Sequence, residues 1–151
     1  MFSLFKRKKK LFSPEEERMI VTAVQKAERC TSGEVRVYVE NRCSYMDALD
    51  RAIEIFTKMG MHATAERNGV LIYVAIKDHQ LAVLGDEGIH RKVGSEYWNA
   101  EVRKMIGDFN RDDYAKGIAG CVEDIGEALQ KFFPYTDKDK NELSDDIQFG
   151  R

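Results

Sequence analysis

Seven consecutive apolar residues, Val70-Leu71-Ile72-Tyr73-Val74-Ala75-Ile76, constrain this chain more than any other segment. The run is far too short to span a bilayer, and it lacks the polar alternation of a strand with one wet face. It predicts a central strand over about 69–76 covered by helices on both faces. Asn68-Gly69 is the turn that enters it. The short polar break Lys77-Asp78-His79-Gln80 predicts a hairpin into an antiparallel strand over about 80–85.

Upstream, Val35, Val37 and Val39 alternate with Arg36, Tyr38 and Glu40, the period-two pattern of a half-buried strand over about 34–40. Ser13-Pro14-Glu15-Glu16 reads as a helix start, with Ser13 capping, Pro14 in the first helical position and Glu16 closing a capping box. Ile20, Val24 and Ala27 then form an apolar stripe. Met46, Leu49, Ala52, Ile53, Phe56 and Met59 recur at helical spacing, predicting a helix over about 46–60 that stops at Gly60. Two further stripes run from Trp98 to Phe109 and from Ile118 to Phe132, the second ending before Pro134. Strand, helix, strand implies a right-handed parallel crossover, to which the hairpin adds an antiparallel third strand. The expected fold is therefore α/β, a three-layer α/β/α sandwich with a mixed sheet and four main helices.

A chain of 151 residues suits one compact domain, expected over 13–135. A basic extension over 1–12, with five consecutive bases from Lys6 to Lys10, precedes it, and an acidic tail over 136–151 follows. The start carries no apolar leader after its bases, and the three cysteines, Cys30, Cys43 and Cys121, have no CxxC spacing. Reduced thiols and a cytoplasmic location are expected. Phe2, Leu4, Phe5, Leu11 and Phe12 flank the bases, so the extension also suits peripheral contact with an anionic membrane surface. No nucleic-acid partner is expected, because the net charge is −2 and no base-reading motif is present.

Most familiar site patterns are absent: the chain has no P-loop, no GxGxxG, no HExxH, no GxSxG and no spaced Cys/His zinc set. His62, His79 and His90 fall in separate elements. Cys30 and Arg36 have the C-x5-R spacing of cysteine phosphatases, but a helix precedes and a strand follows where that chemistry needs the reverse. Asp137, Asp139 and Asn141 occupy the first, third and fifth places of an EF-hand loop, yet Glu142 stands where glycine is required and Gln148 where a bidentate glutamate belongs.

The expected topology creates a different candidate. An antiparallel third strand ends beside the starts of the other two, so Thr31-Ser32-Gly33-Glu34, Asn68-Gly69 and Gly85-Asp86-Glu87-Gly88 should converge at one sheet end. Glu34, Asp86 and Glu87 are hard oxygen donors of the kind calcium and magnesium take. Acids and glycines also populate turns for local reasons. Asp112 or Asp113 is expected to cap the last helix, a role compatible with ligation.

These same segments carry a family resemblance. Thr31-Ser32-Gly33-Glu34-Val35-Arg36-Val37, Asn68-Gly69-Val70-Leu71, the glycine turn Gly85 to Ile89, and Phe109 with Asp113-Tyr114 and Gly117-Ile118 together resemble the TPM domain family over about residues 13–133. Phe133-Pro134-Tyr135 and Asn141 to Ile147 are similar to a branch of small bacterial members without signal peptide or membrane anchor. The resemblance implies an α/β sandwich, divalent-cation binding near the glycine turns, usually of calcium, and for some members acid phosphatase activity. The turn Gly85-Asp86-Glu87-Gly88-Ile89-His90 is longer than the family's pattern, so His90 is not carried over as a ligand. On topology and motif position together, Glu34, Asp86 and Asp113 are the expected metal ligands, with calcium expected ahead of magnesium.

Three functions stay open at this point. One is a non-enzymatic module that binds a divalent cation and an unidentified protein partner. Another is a metal-dependent phosphatase, in which a carboxylate such as Asp86 activates water and Arg36 or Arg67 holds phosphate. The third is a peripheral membrane accessory protein held by residues 1–12. No catalytic residue is assigned, since no nucleophile and base pair is visible.

Overall fold

The structure is a computed structural model and describes residues 11–134 and 147–150. The basic run and the EF-hand-like segment lie outside the described residues. The element order is α1 (Pro14–Arg29), β1 (Glu34–Glu40), α2 (Ala48–Lys58), a 3-10 turn (Met61–Ala63), β2 (Gly69–Ala75), β3 (Gln80–Gly85), α3 (Glu87–Val93), α4 (Ser95–Phe109), α5 (Tyr114–Phe132) and β4 (Gln148–Phe149). The sheet order is β3-β2-β1-β4, with β3 antiparallel to β2 and the other pairs parallel.

Period-two alternation in β2 sends its residues to two cores. Val70, Ile72 and Val74 join Val35, Val37 and Val39 against α1, α4 and α5. Leu71, Tyr73 and Ala75 face Ala52, Ile55 and Phe56 of α2, with Met61 below. Every residue of β2 is buried, as a strand sandwiched between helical layers must be. Helices α1 and α5 pack closely where Gly126 meets Ala27: a Cβ on Gly126 would come 2.7 Å from that of Ala27. Only glycine allows that contact.

The capping box at the start of α1 is present: Glu16 N–H donates to Ser13 Oγ at 3.1 Å and Ser13 N–H to Glu16 Oε1 at 2.9 Å. Ser13→Ala should cost about 1 kcal/mol, measured as a lower urea midpoint with an unchanged m-value.

Four features depart from the sequence expectation. Helix α3 is additional, because seven residues with one buried apolar side chain, Ile89, leave no stripe to read. β1 is not half-buried: Glu34, Arg36 and Glu40 are 1–3% exposed, and Arg51 of α2 reaches across to pair with Glu40. Phe12, grouped with the basic extension, is buried in the larger core with Leu11 packed against it, so its ring is not available to a membrane. The end of the acidic tail supplies β4, which pairs with β1 at Tyr38 and Val39.

Candidate functional site

The three glycine turns meet at the amino end of β1 and β2. Glu34 is in register with Gly69, Val70 is opposite Gly85, and Asp86 N–H donates to Gly69 O at 2.9 Å. Gly88 N–H donates to Arg67 O at 2.8 Å, and a Cβ there would collide with the carbonyl oxygens of Glu66 and Arg67. That close backbone approach needs glycine and locks the 66–69 turn onto the start of α3.

The expected ligands are not all in one place. Glu34 is buried at the start of β1. Asp86 caps α3, accepting Glu87 N–H at 2.8 Å, and both of its oxygens are engaged by Arg67, Nε at 2.7 Å and Nη2 at 3.0 Å. This hydrogen-bonded pair holds the Arg67 guanidinium above its ordinary pKa. Any ion taken by Asp86 must first displace that cation. Asp113 caps α5, accepting Lys116 N–H at 3.4 Å. Its distance from the turns follows from the helix: Leu129, 16 residues later, packs against Gly33, and a helical rise of about 1.5 Å per residue places Asp113 ~24 Å away along the axis. Glu34 and Asp86 share one end of the sheet. Asp113 stands at the other end of α5.

Asn68, read from sequence only as a turn residue, is 1% exposed, and its Oδ1 has no hydrogen-bond partner among the described residues. Its Nδ2 donates to Ser32 Oγ at 3.1 Å, and Ser32 Oγ donates to Glu66 Oε2 at 2.9 Å. Glu28 adds a carboxylate nearby, accepting Val35 N–H at 2.6 Å. Asn-Gly is so common in turns that no sequence signal marks this amide as buried.

A second concavity, about 460 Å³, opens at the carboxyl ends of β1 and β2 and is lined by Glu40, Asn41, Arg42, Ser44, Arg51 and Lys77 among others. In open α/β sheets this is the usual crevice for a ligand. Its floor is an ion-pair network. Arg51 donates from Nε to Glu40 Oε2 at 2.9 Å and from Nη2 to Oε1 at 3.1 Å, while Nη1 reaches Glu54 at 2.5 Å. Tyr73 OH donates to Glu40 Oε2 at 2.5 Å. The hydrogen bonds to Glu40 raise the Arg51 pKa, whereas burial first and Glu40 second raise that of Tyr73.

The family model for the TPM domain matches residues 6–128. The chain belongs to the TPM domain family. This TPM chain is similar to the BA42 protein of the psychrophilic bacterium Bizionia argentinensis, solved by NMR, at 36% identity and a TM-score of 0.86. That match covers 95% of this chain and 99% of the other. It shares its fold with the N-terminal domain of the cg2496 protein of Corynebacterium glutamicum, at 11% identity and a TM-score of 0.66, over 89% and 83% of the two chains. Among curated proteins no match is found.

Within the TPM chain, no described helix is long and apolar enough to cross a membrane. No group of three His, Cys, Asp or Glu residues able to hold a metal is assembled among the described residues. An ion would need amide, hydroxyl or backbone oxygens as well, which calcium accepts readily. His90 has a structural partner, its Nδ1 accepting Trp98 Nε1–H at 3.0 Å. Of the two arginines considered for phosphate, Arg36 is buried and Arg67 is committed to Asp86.

Proposed function

We propose that this TPM-domain chain is a non-enzymatic binding module for a divalent cation, calcium ahead of magnesium, at the amino-end turns. The observation that carries the reading is Asn68 Oδ1, a buried amide oxygen without a hydrogen-bond partner among the described residues. Leaving such an acceptor dry costs about 1–3 kcal/mol unless something binds it. Asn68, Ser32 and Glu66 would hold the ion, all of them hard oxygen donors. Glu34 and Asp86 supply negative charge at the same end of the sheet, Asp86 already balanced by Arg67. Such a module needs only those oxygens and no nucleophile.

The test is thermal unfolding of chelator-treated protein with and without calcium. A ligand of the native state at 100 times its Kd adds about 2.7 kcal/mol, roughly 5–10 °C in Tm for a chain of this size. Magnesium should give a smaller shift, because it surrenders its waters reluctantly. Asn68→Ala and, at an exposed position, Glu66→Gln should each remove most of the calcium shift. An equal shift in both variants would place the ion elsewhere. No shift in the parent chain would end the cation reading.

A second reading, phosphatase-like hydrolysis, is favoured by one observation, the carboxyl-end crevice with Arg42, Arg51, Lys77 and Ser44 on its wall. If it holds, phosphate-ester hydrolysis should fall with Lys77→Met and Ser44→Ala. Turnover that survives both belongs to a contaminant or to another site.

A further inference from the structure

On the outer face of the helical layer, α3, α4 and α5 enclose an open cavity of about 450 Å³. Its apolar wall includes Val93, Tyr97 and Phe132, and its polar wall includes Glu101, Lys104 and Asp124. Glu101 is the anomaly. It sits among the core-facing residues of α4, between Trp98 and Met105, and is only 3% exposed. An apolar residue there would pack without the cost of burying a carboxyl group. Its Oε1 has no hydrogen-bond partner among the described residues.

The cavity already displays the chemistry that suits it. Lys104 reaches in from a largely exposed position, its Nζ 3.0 Å from Asp124 Oδ2 and 3.8 Å from Glu101 Oε2. An ammonium group thus lies beside two neighbouring carboxyls, yet it leaves Glu101 Oε1 unserved. The lining is mixed in charge, Lys92, Lys104 and Lys131 against Glu101, Asp124 and Glu127, but an anion would offer Glu101 Oε1 a further acceptor where a donor is missing. A cation with N–H groups meets both needs, and an aliphatic chain attached to it has Val93, Tyr97 and Phe132 to lie on.

We propose that this cavity is a binding site for a small primary alkylamine, whose ammonium group donates to Glu101 and Asp124 and whose chain covers the Tyr97–Phe132 wall. Binding strengthens with pH. Burial and the neighbouring Asp124 push the Glu101 carboxyl up to about 7, so the ionised acceptor form grows as pH rises through neutrality. The titratable groups lining the cavity or acting on Glu101 are Tyr97 and Lys104 on α4, Cys121, Asp124, Glu127 and Lys131 on α5, and Lys92 on α3. The Cys121 thiol is itself held protonated by burial, then by Glu101.

The experiment is an NMR titration of the full chain with n-butylamine and 1,4-diaminobutane at constant ionic strength. Tetramethylammonium, which has no N–H, is the control. The expected result is saturable shifts around Glu101, Lys104 and Asp124 in the millimolar range, stronger at about pH 8 than at about pH 6. Lys104→Met should tighten binding several-fold, because the resident ammonium no longer competes. Glu101→Gln, the size of the protonated acid and therefore compatible with the fold, should weaken it roughly tenfold or more. No saturable shifts in either the parent chain or Lys104→Met would overturn the proposal. So would an undiminished response of Glu101→Gln, or an equal response to tetramethylammonium.

Discussion

Replacing Glu40 with alanine is expected to cost about 3–5 kcal/mol, the largest loss from any single polar substitution in this fold. Glu40 is 3% exposed and both its oxygens are engaged, by two nitrogens of Arg51 and by the hydroxyl of Tyr73. Removing it leaves the fully buried Tyr73 hydroxyl without its acceptor, and leaves Arg51 with Glu54 as its remaining carboxylate partner. The cause is loss of partners, because a buried hydroxyl without its acceptor and a guanidinium reduced to one carboxylate cost more than the pair itself contributes. Removing both charges with Glu40→Met and Arg51→Met should therefore cost less than Glu40→Ala alone. Urea unfolding of the single and double variants measures it. A loss below about 1 kcal/mol for Glu40→Ala, the size of a surface ion pair, would mean the network is solvated.

Glu101→Gln should do the opposite above neutral pH. The buried carboxyl titrates at about 7 against an ordinary value of 4.5, chiefly through desolvation and then through Asp124. The folded chain therefore holds this proton more tightly than the unfolded one. Stability is fully present below pH 4.5 and is lost as pH rises to about 7. A shift of that size corresponds to about 3 kcal/mol at about 1.4 kcal/mol per unit. Glutamine has no proton to lose, so the variant should gain that much on the parent chain across the same window. Denaturation midpoints at several pH values test it. Parallel pH profiles for the two proteins would show that Glu101 ionises freely in the fold.

The elements that were legible from sequence are those with a strong local period. β1, β2 and β3 lie within a residue of their expected bounds because valine alternation, a continuous apolar run and a polar hairpin break each leave one interpretation. The meeting of the three turns followed from strand direction alone. Hidden were contacts made by residues far apart in the chain. Arg36 and Glu40 alternate with valines as solvent-facing residues do, and nothing local reveals their burial or the reach of Arg51 to Glu40. Likewise Gln148 and Phe149 add a two-residue strand from within an acidic tail, too short for any pattern. At the candidate site, the acidity of Asp86 was visible but its pairing with Arg67, 19 residues earlier, was not. Asn68 carried no signal, since an Asn-Gly turn reads the same whether its amide is wet or buried. Asp113 was read as a cap and as a ligand; the cap is local, whereas ligation with Glu34 needed a distance that α5 does not provide.

A divalent ion at the amino-end turns should be visible in a calcium titration of the uniformly labelled chain, followed residue by residue through its amide shifts. Saturable shifts are expected at Ser32 to Glu34 and Glu66 to Gly69, with Glu40 to Arg42 at the opposite end of the sheet unmoved. Saturable shifts confined to the loop around Asp113, or none anywhere, would contradict it.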